Sequence, residues 1–321
     1  KRIFLGTTYR GAFVCLGGIS GVKLVQLRIL FLSLSNTYET LIEQLHMEEH
    51  IVEQFTQRDG VYSSYQIAAA TDKINRFYPN YIINNVPSIF LPALETNSIV
   101  IGNTEASANL ELKKWETRQK AEELGFVLPE VLEECTLNTV STSYTDTIFV
   151  KPKGVDLYHQ AWKIPAGTNI KENHNIQFPS DIPAYVEADV QHDIQVDCCF
   201  TIHNGSYTIN QIIAHNSQGN EKILLGGSET WKQEIEQVTL TEEQESIVTP
   251  LFNNWLNYAA TLGGSYQGCV TTGLKGTNLY WYEQNSRKGT HTSFTGKGQD
   301  WLNSLILDSS ESSKTSWSYN L

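Results

Sequence analysis

The chain is short of positive charge. It carries 23 Lys and Arg against 35 Asp and Glu, a formal net charge of −12. No basic excess exists to neutralise a phosphate backbone, which excludes general nucleic-acid binding, although a few well-placed lysines can still hold single phosphates. Cysteine is scarce too. Five residues, an odd number without framework spacing, read as reduced thiols of a cytosolic protein and not as a disulfide scaffold. Cys198 and Cys199 are adjacent in a strand-like run, so their side chains point to opposite faces and read as core filler. Long apolar runs are missing as well. The most apolar window, 19–34, contains Lys23 and Arg28 and is too short and interrupted to span a bilayer. The first residues mimic the start of a signal peptide, but Arg10 breaks the apolar region and no clear cleavage pattern follows. A cytoplasmic location without membrane attachment is expected, and there is no internal repeat.

What remains is ordinary for a soluble globular protein: 321 residues, 40% hydrophobic and 18% charged, enough for two or three lobes. Glycines crowd the start, and 17–21 (GGISG) offers a phosphate-cradling turn. It lacks both the dinucleotide fingerprint and the P-loop lysine, so a plain glycine turn explains it. The run 28–33 (RILFLS) predicts a strand, and 37–57 predicts a helix. That helix would carry His46 and His50 in an H-x-x-E-H pattern, with both imidazoles on one face as a zinc hydrolase needs, but no third ligand is evident downstream. Residues 61–100 mix short elements with Pro79, Pro87 and Pro92, and 99–102 reads as a short buried strand entering a turn. A single helix is expected over 105–124, closed by Gly125 with Pro129 beyond it. Residues 135–225 are β-rich, with strands at 147–152 and 194–203 and a hairpin turn at Asn204-Gly205 returning as 207–214. A further helix is expected over 242–262, and the Ser-rich stretch 308–321 reads as ending in disorder.

The stretch 278–287 (NLYWYEQNSR) concentrates chemistry. It opens with bulky residues and then sets Glu283, Asn285 and Arg287 at alternate positions, which on a strand share one face. Tyr280 and Tyr282 are read onto the same line, with Trp281 packing behind. Glu and Asn form an oxygen-only pair suited to Mg²⁺, and an Arg two residues on suits a phosphate. An amphipathic strand with a polar face has the same pattern.

Order along the chain separates the two readings. The pieces are 114–118 (KWETR) with Gly125 and Pro129 after it, 149–152 (FVKP), 185–190 (YVEADV) followed by Asp193, and 283–287 (EQNSR). In that order and spacing the chain resembles the ATP-grasp carboxylate–amine ligases over roughly residues 100–300. The resemblance implies an α/β fold in which two β-rich lobes hold ATP between them, after an N-terminal α/β lobe. The corresponding boundaries are 1–105, 106–185 and 186–321. It implies that Lys114 and Lys151 neutralise nucleotide phosphates, with Lys113 competing for the first role. It also implies that the hinge around Glu187 and Val190 meets the adenine edge and that Asp193 accepts the ribose hydroxyls. Glu283 and Asn285 correspond to the Mg²⁺ ligands, and Arg287 to a side chain on the phosphate or acyl intermediate, so Arg287 and Lys151 are the catalytic candidates.

Two departures stand out. The family's glycine-rich loop after the second lysine is replaced by 153–162 (KGVDLYHQAW), where Lys153, His159 and Lys163 are the available cations. The family's acidic ligand on the preceding strand falls, by counting back, on Val270. Losing a carboxylate weakens the hold on at least one ion. The resemblance implies ATP and Mg²⁺ as cofactors and small-molecule carboxylate and amine substrates, amino acids or peptides, joined through an acyl phosphate. Lys222, His215 and Arg287 are the candidates facing the substrate carboxylate. A homodimer is left open, and a catalytically silent nucleotide-binding relative and a zinc hydrolase on His46 and His50 stand as alternatives.

Overall fold

The computed structural model describes residues 26–33, 39–47, 49–56, 64–85, 98–154, 161–172, 182–216 and 237–287. The glycine turn at 17–21, His159, the loop bearing Lys222 and the Ser-rich stretch 308–321 lie outside them.

Strand β1 (Arg28–Ser33) alternates Ile29 and Phe31 on one face with Leu30 and Leu32 on the other, and all four are buried. A strand apolar on both sides needs cover on both sides. Helix α1 (Glu39–Met47) brings Leu41 and Leu45 to the first face, and α2 (Ser64–Phe77) brings Ala70, Ile74 and Phe77 to the second. With β2 (Ile51–Thr56), β3 (Tyr81–Asn84) and β4 (Ile99–Ile101) they complete a parallel sheet ordered β2-β1-β3-β4.

The single helix expected over 37–57 is therefore two elements. Its second half is rich in Ile, Val, Phe and Thr, suits a pleated surface, and pairs with β1 in parallel register. This removes the zinc geometry. His46 sits exposed in the last turn of α1, whereas His50 lies beyond the helix, buried, its Nδ1 accepting from the Leu27 amide at 3.3 Å. No group of three or more His, Cys, Asp or Glu among the described residues is arranged to hold a metal ion. The buried strand expected at 99–102 is corrected too. β4 stands at the sheet edge, which leaves Ile99 48% and Val100 40% exposed.

The helix expected over 105–124 is also interrupted, as α3 (Glu105–Leu112) and α4 (Lys114–Glu123). No Gly or Pro breaks it. In a continuous helix the Trp115 amide would bond the Glu111 carbonyl; here it donates to the Lys153 carbonyl at 3.4 Å, so the neighbouring sheet captures the turn. Gly125, at φ +101°, closes α4 in a conformation that favours glycine. The chain then runs beside the last strand among the described residues, with the Val127 amide donating to the Leu279 carbonyl and the Trp281 amide to the Val127 carbonyl. Next comes an antiparallel sheet ordered β5-β8-β6-β7, made of β5 (Val131–Thr136), β6 (Ile148–Pro152), β7 (Trp162–Ile164) and β8 (Pro183–Ala188).

The largest sheet, β11-β10-β9-β12-β13, contains β9 (Ile194–His203), β10 (Ser206–Asn216), β11 (Gln237–Val238), β12 (Ser265–Lys275) and β13 (Asn278–Asn285). Asn204 and Gly205, both at positive φ, make the expected hairpin turn between β9 and β10. Helix α5 (Glu242–Thr261) covers one face, packing Phe252, Trp255 and Leu256 against Val196, Cys198, Val270 and Trp281. No helix among the described residues is long and apolar enough to cross a membrane.

Candidate active site

The face of the large sheet away from α5 carries the polar residues. Strand pairing sets them in two rows. One row runs Ile213, Asp197, Thr271, Glu283 across β10, β9, β12 and β13; the next runs Gln211, Cys199, Cys269, Asn285. Directly paired residues of antiparallel strands share a face, so Glu283 and Asn285 stand together at its edge, as expected.

The tyrosines reach that face by a different route. Strict alternation would put Tyr280 and Tyr282 opposite Glu283, but β13 bulges where Thr271 pairs Glu283 and Thr272 pairs Trp281. The extra residue, Tyr282, restores the line, while Trp281 faces the core as expected and lies 4.2 Å from Trp255, centroid to centroid. The Tyr282 hydroxyl bonds His192 Nδ1 at 2.7 Å, and the pair lies on Gly273, where a Cβ would overlap both side chains.

Pairing also relocates the position assigned to an acid. Val270 points into the α5 core, fully buried, so no side chain there reaches Glu283. Thr271 is the residue opposite Glu283. One strand further on, Asp197 is buried and bonded by Gln195 Nε2 at 3.2 Å and His215 Nε2 at 3.3 Å. His215 therefore faces Asp197, not a free surface.

Two charged clusters meet at this edge. In the first, Lys114 at the start of α4 donates from Nζ to Glu283 Oε2 at 3.2 Å, while the neighbouring Lys113 is exposed. Asn285 Nδ2 donates to Glu283 Oε1 at 3.4 Å, and Arg287 Nη2 donates to Asn285 Oδ1 at 3.3 Å. Arg287 is anchored by Glu111 of α3, through Nε to Oε1 at 2.8 Å, and Glu111 Oε2 takes the Ser286 amide at 2.7 Å. Burial opposes ionisation of Glu283, but the Lys114 and Lys151 ammoniums outweigh it and hold its carboxyl below the usual range. Beside Glu111, the Arg287 guanidinium is pushed up.

In the second cluster, Lys151 of β6 is ion-paired with Glu187 of β8, and Arg118 of α4 lies 3.9 Å from the other Glu187 oxygen. Lys151 Nζ also reaches the Tyr282 carbonyl, 3.4 Å away in the other sheet. Arg118 donates to the Pro129 carbonyl at 2.7 Å, and its guanidinium lies 5.4 Å from the Trp115 ring and 5.3 Å from the Tyr185 ring, two rings that themselves meet edge to face. Its role was missed in the sequence, although it stands within the KWETR piece; four-residue spacing from Lys114 along one helix was the available signal.

The remaining expected contacts are spread around these clusters. The Val190 carbonyl accepts from Lys275 Nζ at 2.7 Å. The Asp193 carboxylate caps the β12–β13 turn through the Gly276 amide at 3.1 Å, and its own amide bonds the Leu274 carbonyl. Leu274 is three residues along β12 from Thr271, so Asp193 stands about 10 Å from the Glu283 row at the rise of a strand. Of the cations expected to replace the glycine loop, Lys153 pairs with Glu134 and Lys163 with Asp189.

Glu283 and Asn285 fit one hard divalent ion. Both offer oxygen from one face, and the Glu283 carboxylate already carries a cation, the Lys114 ammonium.

No family model matches the chain, and no curated protein matches it in sequence. Its fold has clear counterparts among solved structures. The D-alanyl-alanine synthetase A of Vibrio cholerae superposes with a TM-score of 0.62 at 13% identity, over 89% of this chain and 98% of that one. A D-alanine–D-alanine ligase from Bacillus anthracis, solved in complex with ATP, superposes at 0.55 and 14% identity, over 87% and 92%. An L-amino acid ligase from Bacillus licheniformis does so at 0.58 and 12%, over 83% and 68%. The chain has the ATP-grasp fold of these ligases.

Proposed function

We propose that the protein is an ATP-dependent carboxylate–amine ligase acting on amino acids or peptides. The observation that carries this reading is the convergence of Lys114, Lys151, Glu187, Glu283 and Asn285 from four separate elements onto one edge between two sheets. Lys114 and Lys151 receive the phosphates of ATP, as compact charges on flexible stems. The strand end at Glu187 and Val190 meets the base, Asp193 the ribose, and Arg287 the transferred phosphate or the acyl group. Glu283 and Asn285 would hold a Mg²⁺ ion, which would supply neutralising charge for phosphoryl transfer. The substrate carboxylate takes the γ-phosphate, and an amine then displaces phosphate to form the amide. Rate comes from positioning and charge neutralisation, with no protein nucleophile, and the closed lobes protect the acyl phosphate from water.

The test is calorimetry with ATP and Mg²⁺, followed by hydroxylamine trapping over a panel of amino acids and dipeptides. ATP-dependent hydroxamate with ADP release is the expected result; failure to bind nucleotide sinks the reading. Binding without hydroxamate on any carboxylate favours a second reading, a nucleotide-binding protein without turnover. The observation behind that alternative is Thr271, a hydroxyl where a second carboxylate would face Glu283.

A further inference from the structure

We infer that Lys114 is a built-in surrogate cation, filling the Glu283–Asn285 seat until nucleotide phosphate draws it away, so that metal uptake depends on nucleotide. Only the nucleotide half of this inference rests on the ligase reading.

Each oxygen a divalent ion would take is already held by a protein donor. Lys114 Nζ holds Glu283 Oε2 at 3.2 Å, Asn285 Nδ2 holds Glu283 Oε1 at 3.4 Å, and Arg287 Nη2 holds Asn285 Oδ1 at 3.3 Å. The Lys114 side chain is 10% exposed, against 34% for Glu283. The carboxylate is therefore open to an arriving ion while the ammonium is largely shielded from water. An ion and an ammonium cannot share one carboxylate oxygen without strong repulsion. Metal arriving alone must break the ion pair and leave the ammonium in poorly hydrated surroundings. Metal arriving with a nucleotide offers Lys114 a phosphate in exchange, and the four-carbon stem lets it swing. Arg287 stays tethered by Glu111, so its part of the exchange is small. By reciprocity, whatever metal gains from nucleotide, nucleotide gains from metal.

The experiment measures Mn²⁺ binding to the nucleotide-free full chain by counting free Mn²⁺ with electron paramagnetic resonance. Lys114→Met should bind Mn²⁺ on the order of tenfold more tightly than wild type, within the usual range for coupled sites. Adding Glu283→Gln to that variant should abolish the gain, and Lys114→Arg should resemble wild type. Lys114→Gln serves if the Met variant does not fold, with near-ultraviolet circular dichroism as the check. No gain in the neutral variants, whether both proteins bind or neither does, overturns the inference, as does a gain that survives loss of Glu283. A separate titration with the non-hydrolysable analogue adenylyl imidodiphosphate keeps the two ideas apart. Failure of wild type to bind it defeats the ligase reading and leaves the metal result standing.

Discussion

The two charged clusters sit side by side yet differ in their access to water. Around Glu187 the side chains are largely buried: Lys151, Glu187 and Arg118 are 7%, 3% and 8% exposed. Around Glu283 the carboxylate is 34% exposed. Buried ions hold each other because water cannot, so removing one strands the others. Partners of an ion at the surface can be exchanged for solvent or for ligand. One cluster thus ties α4, β6 and β8 together, and in the other Lys114 can trade its partner.

Substitutions should reproduce this contrast. Glu187→Gln leaves Lys151 and Arg118 as uncompensated buried cations and should cost about 3–5 kcal/mol in urea unfolding. A loss below about 1 kcal/mol would show that the cluster is wetter than its geometry implies. Gly273→Ala drives a methyl group into the His192–Tyr282 pair, where overpacking should cost about 1–3 kcal/mol by the same measurement. Glu283→Gln should cost less than Glu187→Gln, about 1–2 kcal/mol, because only the Lys114 side of its pair is shielded from water, yet abolish ATP turnover. Unchanged turnover in that variant would refute the proposed metal seat. The smallest effect concerns pH. Burial, opposed by the Asp189 carboxylate, lowers the His192 pKa below its ordinary 6.5. The unfolded imidazole then protonates first, so stability present above pH 6.5 is lost as pH falls through the folded value. Thermal midpoints measured from about pH 7.5 down to about pH 5.5 should fall more for wild type than for His192→Gln.

Much of the site was legible because its residues carry chemistry in a fixed order. Lys114, Lys151, Glu187, Glu283 and Asn285 were singled out from the sequence, and they converge. Other features were hidden for physical reasons. The break before α4 follows from a carbonyl 38 positions away, Lys153 capturing Trp115, and no local residue announces it. The bulge at Tyr282 changes which residues share a face, so counting along β12 pointed to Val270 although pairing puts Thr271 opposite Glu283. The split of 37–57 into α1 and β2 escaped helical reading because its polar residues fit either period, and only pairing with β1 decides between them. Arg118 and Glu111 look like helix-surface charges until the chain folds, yet both are buried against carboxylate or guanidinium partners.

The sequence by itself determined the buried strand β1, the β9–β10 hairpin, helix α5 and the ordered set of lysines and carboxylates, because apolar periodicity, turn residues and charge are local properties. The tertiary structure alone decided which carboxylate meets which cation, how well each pair is hidden from water, and which residue faces Glu283 across the sheet. Those outcomes depend on strand register and on contacts between residues far apart in the chain, and no local pattern encodes either.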